Sequence, residues 1–244
     1  MVWWTAAVCA FFVKGLCGFA NTLVFTTILS FAADNACISP VELLLGYPSN
    51  LILMWKERRF IRWKLCLPLS ALVTAGSIPG ILFLKNTDAG IIKVIFGVVI
   101  FLLGLEMLLR ELRQKKVRQS RAVLMIVGVL SGLLCGLYGV GALLGAYLSR
   151  VTEDSASFKA NICVVFWVEN TLRIFLYALW GILTAEILKQ AVLLLPFMLA
   201  GLGLGILGGR VLDEARVKKC VTVMLMLSGA ALILSLFIAM VFGR

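Results

Sequence analysis

Three charged residues lie inside apolar sequence, where a membrane-embedded charge costs about 2.5 to 3.5 kcal/mol on insertion scales. Lys14 has no carboxylate near it in the sequence. Glu169 and Arg173 are four residues apart, which places both on one face of a helix. Lys14 and Arg173 are therefore predicted anion contacts, and Glu169 is a predicted proton-coupling residue. Two alternatives stay open: Lys14 reaches a lipid head group, and Glu169 with Arg173 forms a structural ion pair.

Two glycine-rich segments interrupt long apolar stretches, at residues 15–21 and 132–141. Helix breaks of this kind bare backbone N–H groups, and the N-termini of helices favour negative charge. In the first segment Gly18 lies at the break, and Asn21 and Thr22 can cap the helix that follows. The second segment offers backbone amides, and its predicted substrate-binding residues are Gly136, Tyr138, Gly139 and Gly141. Close packing of helices at these glycines is the alternative.

Two pairs of residues match each other when the halves of the chain are aligned. Asn50 and Asn170 either hydrogen-bond a ligand or bridge helices. Cys17 and Cys135 fall beside the two breaks, where they either contact a sulfur compound or act as small apolar fillers. All four are predicted substrate-binding residues.

The composition is typical of a membrane protein. Of 244 residues, 62% are hydrophobic and 14% are charged, and the mean hydropathy is +1.06. Most of the surface must face lipid, which disfavours an enzyme with a water-filled cleft. The net charge of +11 comes from clusters between apolar stretches, so no nucleic-acid partner is predicted. Because the chain has no histidine and its seven cysteines are scattered singly, no metal, cofactor or disulfide framework is predicted either.

The elements that must position these residues are eight apolar stretches, at residues 2–33, 38–55, 65–84, 91–109, 122–149, 158–183, 187–209 and 220–242. A basic cytoplasmic linker, 113–121, separates a first transmembrane repeat, 1–112, from a second, 122–244. The repeats match in order: 16–18 with 134–136, Asn50 with Asn170, and Gly76 and Gly80 with Gly201 and Gly205. The sequence thus predicts an all-α polytopic membrane protein of two four-segment repeats, with these glycines as helix-packing positions.

The first stretch of each repeat is longer than the roughly 20 residues that a membrane span needs, so each is predicted to be a broken or re-entrant helix. If both are hairpins, the repeats are inverted, and seventeen basic residues of the loops lie on one side of the membrane against three on the other. The positive-inside rule favours this arrangement over full crossing, which stays open. Glu42 and Glu106 lie near segment ends and are predicted to be interfacial.

Several segments share their residues and order with one family. They are 14–19 with Leu23 and Val24, the Asn50 helix that ends in 56–63, the glycine-broken start of the second repeat, and Arg173, Tyr177 and Gly181 followed by Leu195, Pro196 and 201–209. In these features the chain resembles the sulfite exporter TauE/SafE family, also called the toluene-sulfonate uptake permeases. The resemblance covers nearly the whole chain.

The resemblance implies a multi-pass permease of a prokaryotic cytoplasmic membrane that moves sulfite, sulfonates or related small anions. Thr26 and Thr27 stand where the family often has proline, and Ala142 and Leu143 replace a common Gly-Pro, so the substrate stays open. The expected partners are a small anion and the lipid bilayer, and a homodimer stays open. A non-transporting scaffold and a sulfur-handling membrane enzyme are the alternatives; the lack of histidine and of clustered carboxylates disfavours the enzyme.

Overall fold

The computed structural model describes residues 1–29, 35–86, 121–139, 141–152 and 154–211, and its regular elements there are all helical. A 3-10 turn lies at Arg58–Phe60. The predicted fourth stretch of each repeat, Glu106 and nearly all of the linker 113–121 lie outside the described residues. The helices are α1 (Val2–Cys17), α2 (Asn21–Leu29), α3 (Asn35–Lys56), α4 (Trp63–Asn86), α5 (Arg121–Tyr138), α6 (Ala142–Val151), α7 (Ser155–Leu179) and α8 (Ala185–Val211).

Within the described ranges, four helices are long and apolar enough to cross a membrane. They are the segments Cys37–Lys56, Trp63–Leu82, Ser155–Leu179 and Ala185–Gly209. α8 exposes large apolar side chains on its outer face, such as Val192, Leu193 and Leu204. Such a face is stable against lipid, since only helices that satisfy their own backbone hydrogen bonds can lie there. The prediction of an all-α membrane protein is confirmed.

Both long first stretches are broken helices, as predicted. α1 ends at Cys17, because Gly18 takes a left-handed conformation with φ +85° and its N–H donates to the carbonyl of Lys14. The second turn comes at Gly139, with φ +70°, and not at Gly136, which lies inside α5. α2 has nine residues and α6 has ten. At 1.5 Å per residue each is about 14 to 15 Å long, half the thickness of a bilayer core.

Two helix pairs pack closely through glycines, α1 with α8 and α4 with α5. A Cβ atom on Gly15 would lie 2.8 Å from the Cα of Gly205, and one on Gly132 would lie 2.9 Å from the Cα of Gly76. A Cβ on Gly201 would collide with the backbone of α1. The backbones approach this closely because these positions have no side chain, so the predicted packing role of Gly76, Gly201 and Gly205 is confirmed.

α3 and α7 form the centre of the described structure. α3 packs against α2, α7 and α8, and α7 packs against α3, α4 and α6. The two short helices that follow the breaks therefore lie against the two central helices, so that side chains of α3 and α7 face both interruptions.

Asn161, fully buried on α7, holds the basic turn between α3 and α4. Its Oδ1 accepts from the backbone N–H of Arg62 at 2.8 Å and from the Cys66 thiol at 2.9 Å, and its Nδ2 donates to the carbonyl of Phe60 at 3.2 Å. α7 itself begins with a cap, since Oδ1 of Asp154 accepts from the N–H of Ser157 at 2.6 Å. The turn is thus anchored to a central helix.

Candidate functional site

A cavity lies where the two helix breaks meet. Gly139 of the second break faces the first, since a Cβ atom on it would lie 3.3 Å from Cγ2 of Thr22. The remaining walls come from the central helices α3 and α7. The residues that line the cavity are Lys14, Phe19, Ala20, Asn21, Thr22, Leu23, Glu42, Asn50, Gly139, Gly141, Phe166 and Asn170. Seven of the predicted site residues are thus brought together: Lys14, Asn21, Thr22, Asn50, Gly139, Gly141 and Asn170.

Lys14 is a buried cation in the last turn of α1. Its side chain is 1% exposed, which excludes the alternative that it reaches a lipid head group in this conformation. Nζ lies 3.4 Å from the carbonyl oxygen of Gly46 and 5.8 Å from the centre of the Phe11 ring. Within the described residues no carboxylate lies within ion-pair distance of it. The ammonium group therefore has unused donors beside the cavity.

Glu42 is the principal site residue that sequence reasoning missed. It is 4% exposed, so the prediction of an interfacial position is wrong. Its Oε1 accepts from Nδ2 of Asn21 and, at 2.8 Å, from Oγ1 of Thr22. Asn21 and Thr22 were predicted to cap the N-terminus of α2. Their described side-chain hydrogen bonds go instead to the Glu42 carboxylate on α3. One signal was present: Glu42, Gly46 and Asn50 recur every four residues and share one face of α3.

Gly46 lies among these polar side chains, and its lack of a side chain leaves room for a methyl-sized group. A Cβ atom there would lie 3.4 Å from Oε1 of Glu42, 3.6 Å from Nδ2 of Asn170 and 3.8 Å from Nδ2 of Asn21. The Gly46 carbonyl accepts a hydrogen bond from Nζ of Lys14. A small ligand at this point would meet a cation, two amides and a carboxylate.

Asn50 has an unsatisfied polar atom at the cavity wall. The residue is 1% exposed, and its buried Oδ1 has no hydrogen-bond partner within the described residues. Burying such an atom costs about 1 to 3 kcal/mol unless a partner is supplied, which indicates a place for water or ligand. The amide can also turn its NH2 group toward the cavity, because its two ends are nearly equal in shape. Asn170 offers a second amide on the facing helix.

Arg173 lies directly behind the second break. A Cβ atom on Gly139 would come within 2.9 Å of its Nη1. Nη2 lies 3.2 Å from both the Ser39 hydroxyl and the Tyr177 hydroxyl. Nε lies 3.8 Å from Oε1 of Glu169, and in the part of the chain that the structure describes these two buried atoms have no hydrogen-bond partner. Only some of the guanidinium's hydrogen-bond donors thus have described partners, and Gly139 lies between this group and the cavity.

Two predicted residues of the first break lie outside the cavity lining. Gly18 packs against α7, where a Cβ atom on it would lie 2.7 Å from Cγ of Lys159, and its carbonyl accepts from the Cys163 thiol at 3.5 Å. Cys17 is buried just before this turn. Lys159 in turn reaches the carbonyl of Gly15 at 3.5 Å. These contacts fix the turn and leave the ligand space to the residues on either side of it.

The second break differs from its predicted register. The backbone N–H of Gly139 donates to the carbonyl of Cys135, as that of Gly18 donates to Lys14. Cys135 thus accepts the turn hydrogen bond in the second break as Lys14 does in the first, and the predicted equivalence of Cys17 with Cys135 stays a prediction. Cys135 is 1% exposed and is absent from the cavity lining.

Gly136 packs α5 against α4 and does not face the ligand space. A Cβ atom on it would collide with the backbone of Ser77. The side chain of Tyr138 lies outside the described residues, so its predicted contact stays a prediction. The residues of the second break that line the cavity are therefore Gly139 and Gly141.

An apolar wall, also missed from the sequence, closes the cavity opposite the polar group. Phe19, Leu23 and Phe166 line it, and the Phe166 ring lies so close to Gly141 that no side chain fits there. Ala20 has φ +71°, a conformation that costs an L-residue about 1 to 2 kcal/mol. Strain of this kind recurs at functional sites. The first break is thus held in an unfavourable backbone geometry at the edge of the ligand space.

The chemistry of the site is binding by charge and hydrogen bonds. Two cations, two carboxylates and three asparagine amides converge on one buried region. Among the described residues, no group of three histidine, cysteine, aspartate or glutamate side chains could hold a metal ion. The donors are the ammonium of Lys14 and the asparagine amides, and these favour a negatively charged ligand.

Comparison with known proteins gives one result. The model of a family described as "Sulfite exporter TauE/SafE" matches residues 3–232, a range that includes both breaks and every residue lining the cavity. Neither the curated proteins nor the solved structures compared contain a match.

Proposed function

The chain belongs to the sulfite exporter TauE/SafE family of membrane transporters, and from that premise we propose that it is a secondary carrier for sulfite, a sulfonate or a related small sulfur oxyanion. Members of this family are transporters of the cytoplasmic membrane and not enzymes. The observation that carries the finer proposal is the position of Lys14. A buried lysine with no carboxylate in ion-pair contact among the described residues lines a cavity between two helix breaks.

The bound anion lies beside Gly46, between Lys14 and the amides of Asn50 and Asn170. A tetrahedral or pyramidal oxyanion has several acceptor oxygens, so it can take hydrogen bonds from an ammonium and from two amides at once. Arg173 acts from behind Gly139. Its positive charge favours an anion in the cavity while its hydrogen bonds to α3 and α7 keep it in place.

The architecture supports alternating access by two inverted repeats. The first apolar stretch of each half packs through its first helix against the third stretch of the other half: α1 with α8, and α5 with α4. The second stretches, α3 and α7, pack against each other. This exchange is expected when two similar halves are related by a two-fold axis, as in transporters whose substrate lies at the repeat interface. We infer that α1–α2 and α5–α6 are re-entrant hairpins that present their breaks from opposite sides.

Flux through proteoliposomes tests the function. Purified protein in liposomes is expected to accelerate uptake of labelled sulfite or methanesulfonate above the rate of protein-free vesicles, and excess unlabelled anion is expected to compete. If none of the sulfur anions moves, the proposal is wrong.

A double substitution tests the part played by Arg173. Arg173→Met with Glu169→Gln removes both charges of the pair, so neither is left buried alone. Transport is expected to fall, because the cavity loses the positive field behind Gly139. The matched control is Lys56→Met with Glu57→Gln, which removes the partly exposed pair at 3.1 Å in the turn after α3. Equal transport by both double variants would exclude Arg173 from the function.

A further inference from the structure

The buried charged groups around the cavity balance when each is counted in its ordinary ionised form. Lys14 and Arg173 then contribute two positive charges and Glu42 and Glu169 two negative charges, and each of these residues is at most 4% exposed. An arriving anion therefore leaves one negative charge uncompensated in a medium of low dielectric, which is costly. Some change that restores neutrality must accompany the anion.

The two carboxylates differ in their partners. Oε1 of Glu169 lies 3.8 Å from a guanidinium, which stays charged and favours the ionised form of this carboxylate. Glu42 has no cation within ion-pair distance among the described residues, and the donors on its Oε1 are a neutral amide and a neutral hydroxyl. Glu42 also lines the cavity directly, whereas Glu169 does not. An anion beside Gly46 therefore acts first on Glu42.

The elements packed around Glu42 supply few other titratable groups. α2 has none, and the described titratable side chains of α8, Glu186 and Lys189, are exposed at its start. The groups that act on Glu42 from the surrounding helices are Lys14 on α1, Cys135 on α5, and Glu169 and Arg173 on α7. The buried thiol carries no charge when protonated, so Lys14 and Arg173 are the cations that an anion shares with Glu42.

We propose that Glu42 takes up one proton from water when the anion binds, so that this protein carries the anion and a proton in the same direction. The inference rests on the carrier function proposed above. In the binding step an O–H bond forms on the second carboxylate oxygen, because Oε1 is engaged by Asn21 and Thr22. On release the same bond breaks, and the proton leaves with the anion. No electrons are transferred, and the protonated carboxyl gains a donor that can hydrogen-bond the anion.

Proton uptake on binding is the first test, and it needs no variant. Purified wild-type protein in weak buffer is titrated with methanesulfonate, which stays ionised over the pH range used, while an indicator dye follows free protons. Sulfite replaces the sulfonate if only sulfite is bound, with its own protonation subtracted by a protein-free titration. One proton is expected per anion bound, and the affinity is expected to fall about tenfold per pH unit once Glu42 is mostly ionised.

The variants assign that proton. Glu42→Gln is neutral at every pH, so its anion affinity is expected to lose the pH slope and its binding to take up no proton. Arg173→Met with Glu169→Gln removes one buried charge of each sign and leaves the sum at zero, so this double variant is expected to keep the wild-type slope, as is Glu57→Gln in the turn after α3. If Glu42→Gln keeps the slope, or the double variant loses it, the assignment is overturned. If Glu42→Gln does not fold, the count on wild-type protein and the slope of the double variant still decide.

Transport separates the failure of this inference from the failure of the carrier function. In proteoliposomes with a pH dye inside, an inward gradient of anion is expected to acidify the lumen. Anion flux without acidification overturns the proton coupling alone. Absence of anion flux overturns the carrier function and the coupling with it.

Discussion

Replacing Lys14 by methionine removes the cation and keeps a side chain of similar length. Nζ of Lys14 makes one long hydrogen bond, 3.4 Å to the Gly46 carbonyl, and no ion pair with a described residue. The unliganded protein therefore loses little contact energy when the charge is removed, and it no longer has to keep that ammonium out of water. At a pH low enough for Glu42 to be protonated, the buried charges again sum to zero, and we expect the stability of unliganded Lys14→Met to equal or exceed that of the wild type.

Anion binding is expected to change in the opposite direction. A hydrogen bond to a charged group contributes about 1.5 to 3 kcal/mol, which corresponds to roughly 10-fold to 150-fold in dissociation constant. At an anion concentration of about 100 times the wild-type dissociation constant, ligand binding stabilises the wild type by about 2.7 kcal/mol. A variant that binds about 100-fold more weakly gains only about 0.4 kcal/mol under the same conditions.

The assay is thermal unfolding in detergent with and without sulfite or methanesulfonate, together with liposome flux. Lys189→Met is the matched control, since that lysine is exposed near the start of α8 and away from the cavity. It is expected to keep the full ligand-induced shift. The reasoning is refuted if Lys14→Met binds the anion as tightly as the wild type, or if its unliganded form unfolds at a clearly lower temperature.

Three further predictions concern packing, the basic turn and the second break. Gly205→Ala should destabilise the protein by about 1 to 3 kcal/mol in thermal unfolding, because its Cβ would meet the backbone of α1, whereas Gly203→Ala has open space and should not. Asn161→Ala removes the anchor of turn 57–62, so trypsin should cut there faster; an unchanged rate would contradict the anchoring role. Tyr177→Phe removes a hydrogen bond 3.2 Å from the guanidinium, and anion affinity should fall about 5-fold to 10-fold in titrations.

Much of the fold follows from the solvent. In hydrocarbon every backbone polar group must be satisfied within its own segment, so apolar stretches become helices and glycine-rich interruptions become turns. The second turn lies at Gly139, inside the predicted break 132–141, although the sequence match paired Gly136 with Gly18. A glycine inside a helix costs only about 1 kcal/mol. At Gly136 the close contact with Ser77 of α4 favours continuing α5, and that contact is a tertiary one that the local sequence does not contain.

The site residues that could be predicted are the charged residues that lie within apolar sequence. Lys14 and Arg173 stand out because a cation inside apolar sequence is expensive, and one lines the cavity while the other lies behind it. Glu42 was assigned to the interface because it follows closely on the start of an apolar stretch. α3 begins at Asn35, so Glu42 lies about 10 Å into the helix. The hydrogen bond from Asn21 to its carboxylate depends on the packing of α2 against α3, which the local sequence does not contain.

The exchanged packing of the two halves has a consequence during synthesis. α1 leaves the ribosome well before α8, the described helix whose glycines it packs against, which emerges roughly 10 to 40 seconds later at about 5 to 20 residues per second. Until α8 is inserted, Lys14 and the surface of α1 that packs against α8 must be exposed to lipid or be shielded by the insertion machinery. The packing of α1 is therefore completed only after α8 has been inserted. A nascent chain that stops before α8 would expose this surface of α1 to quality-control proteases.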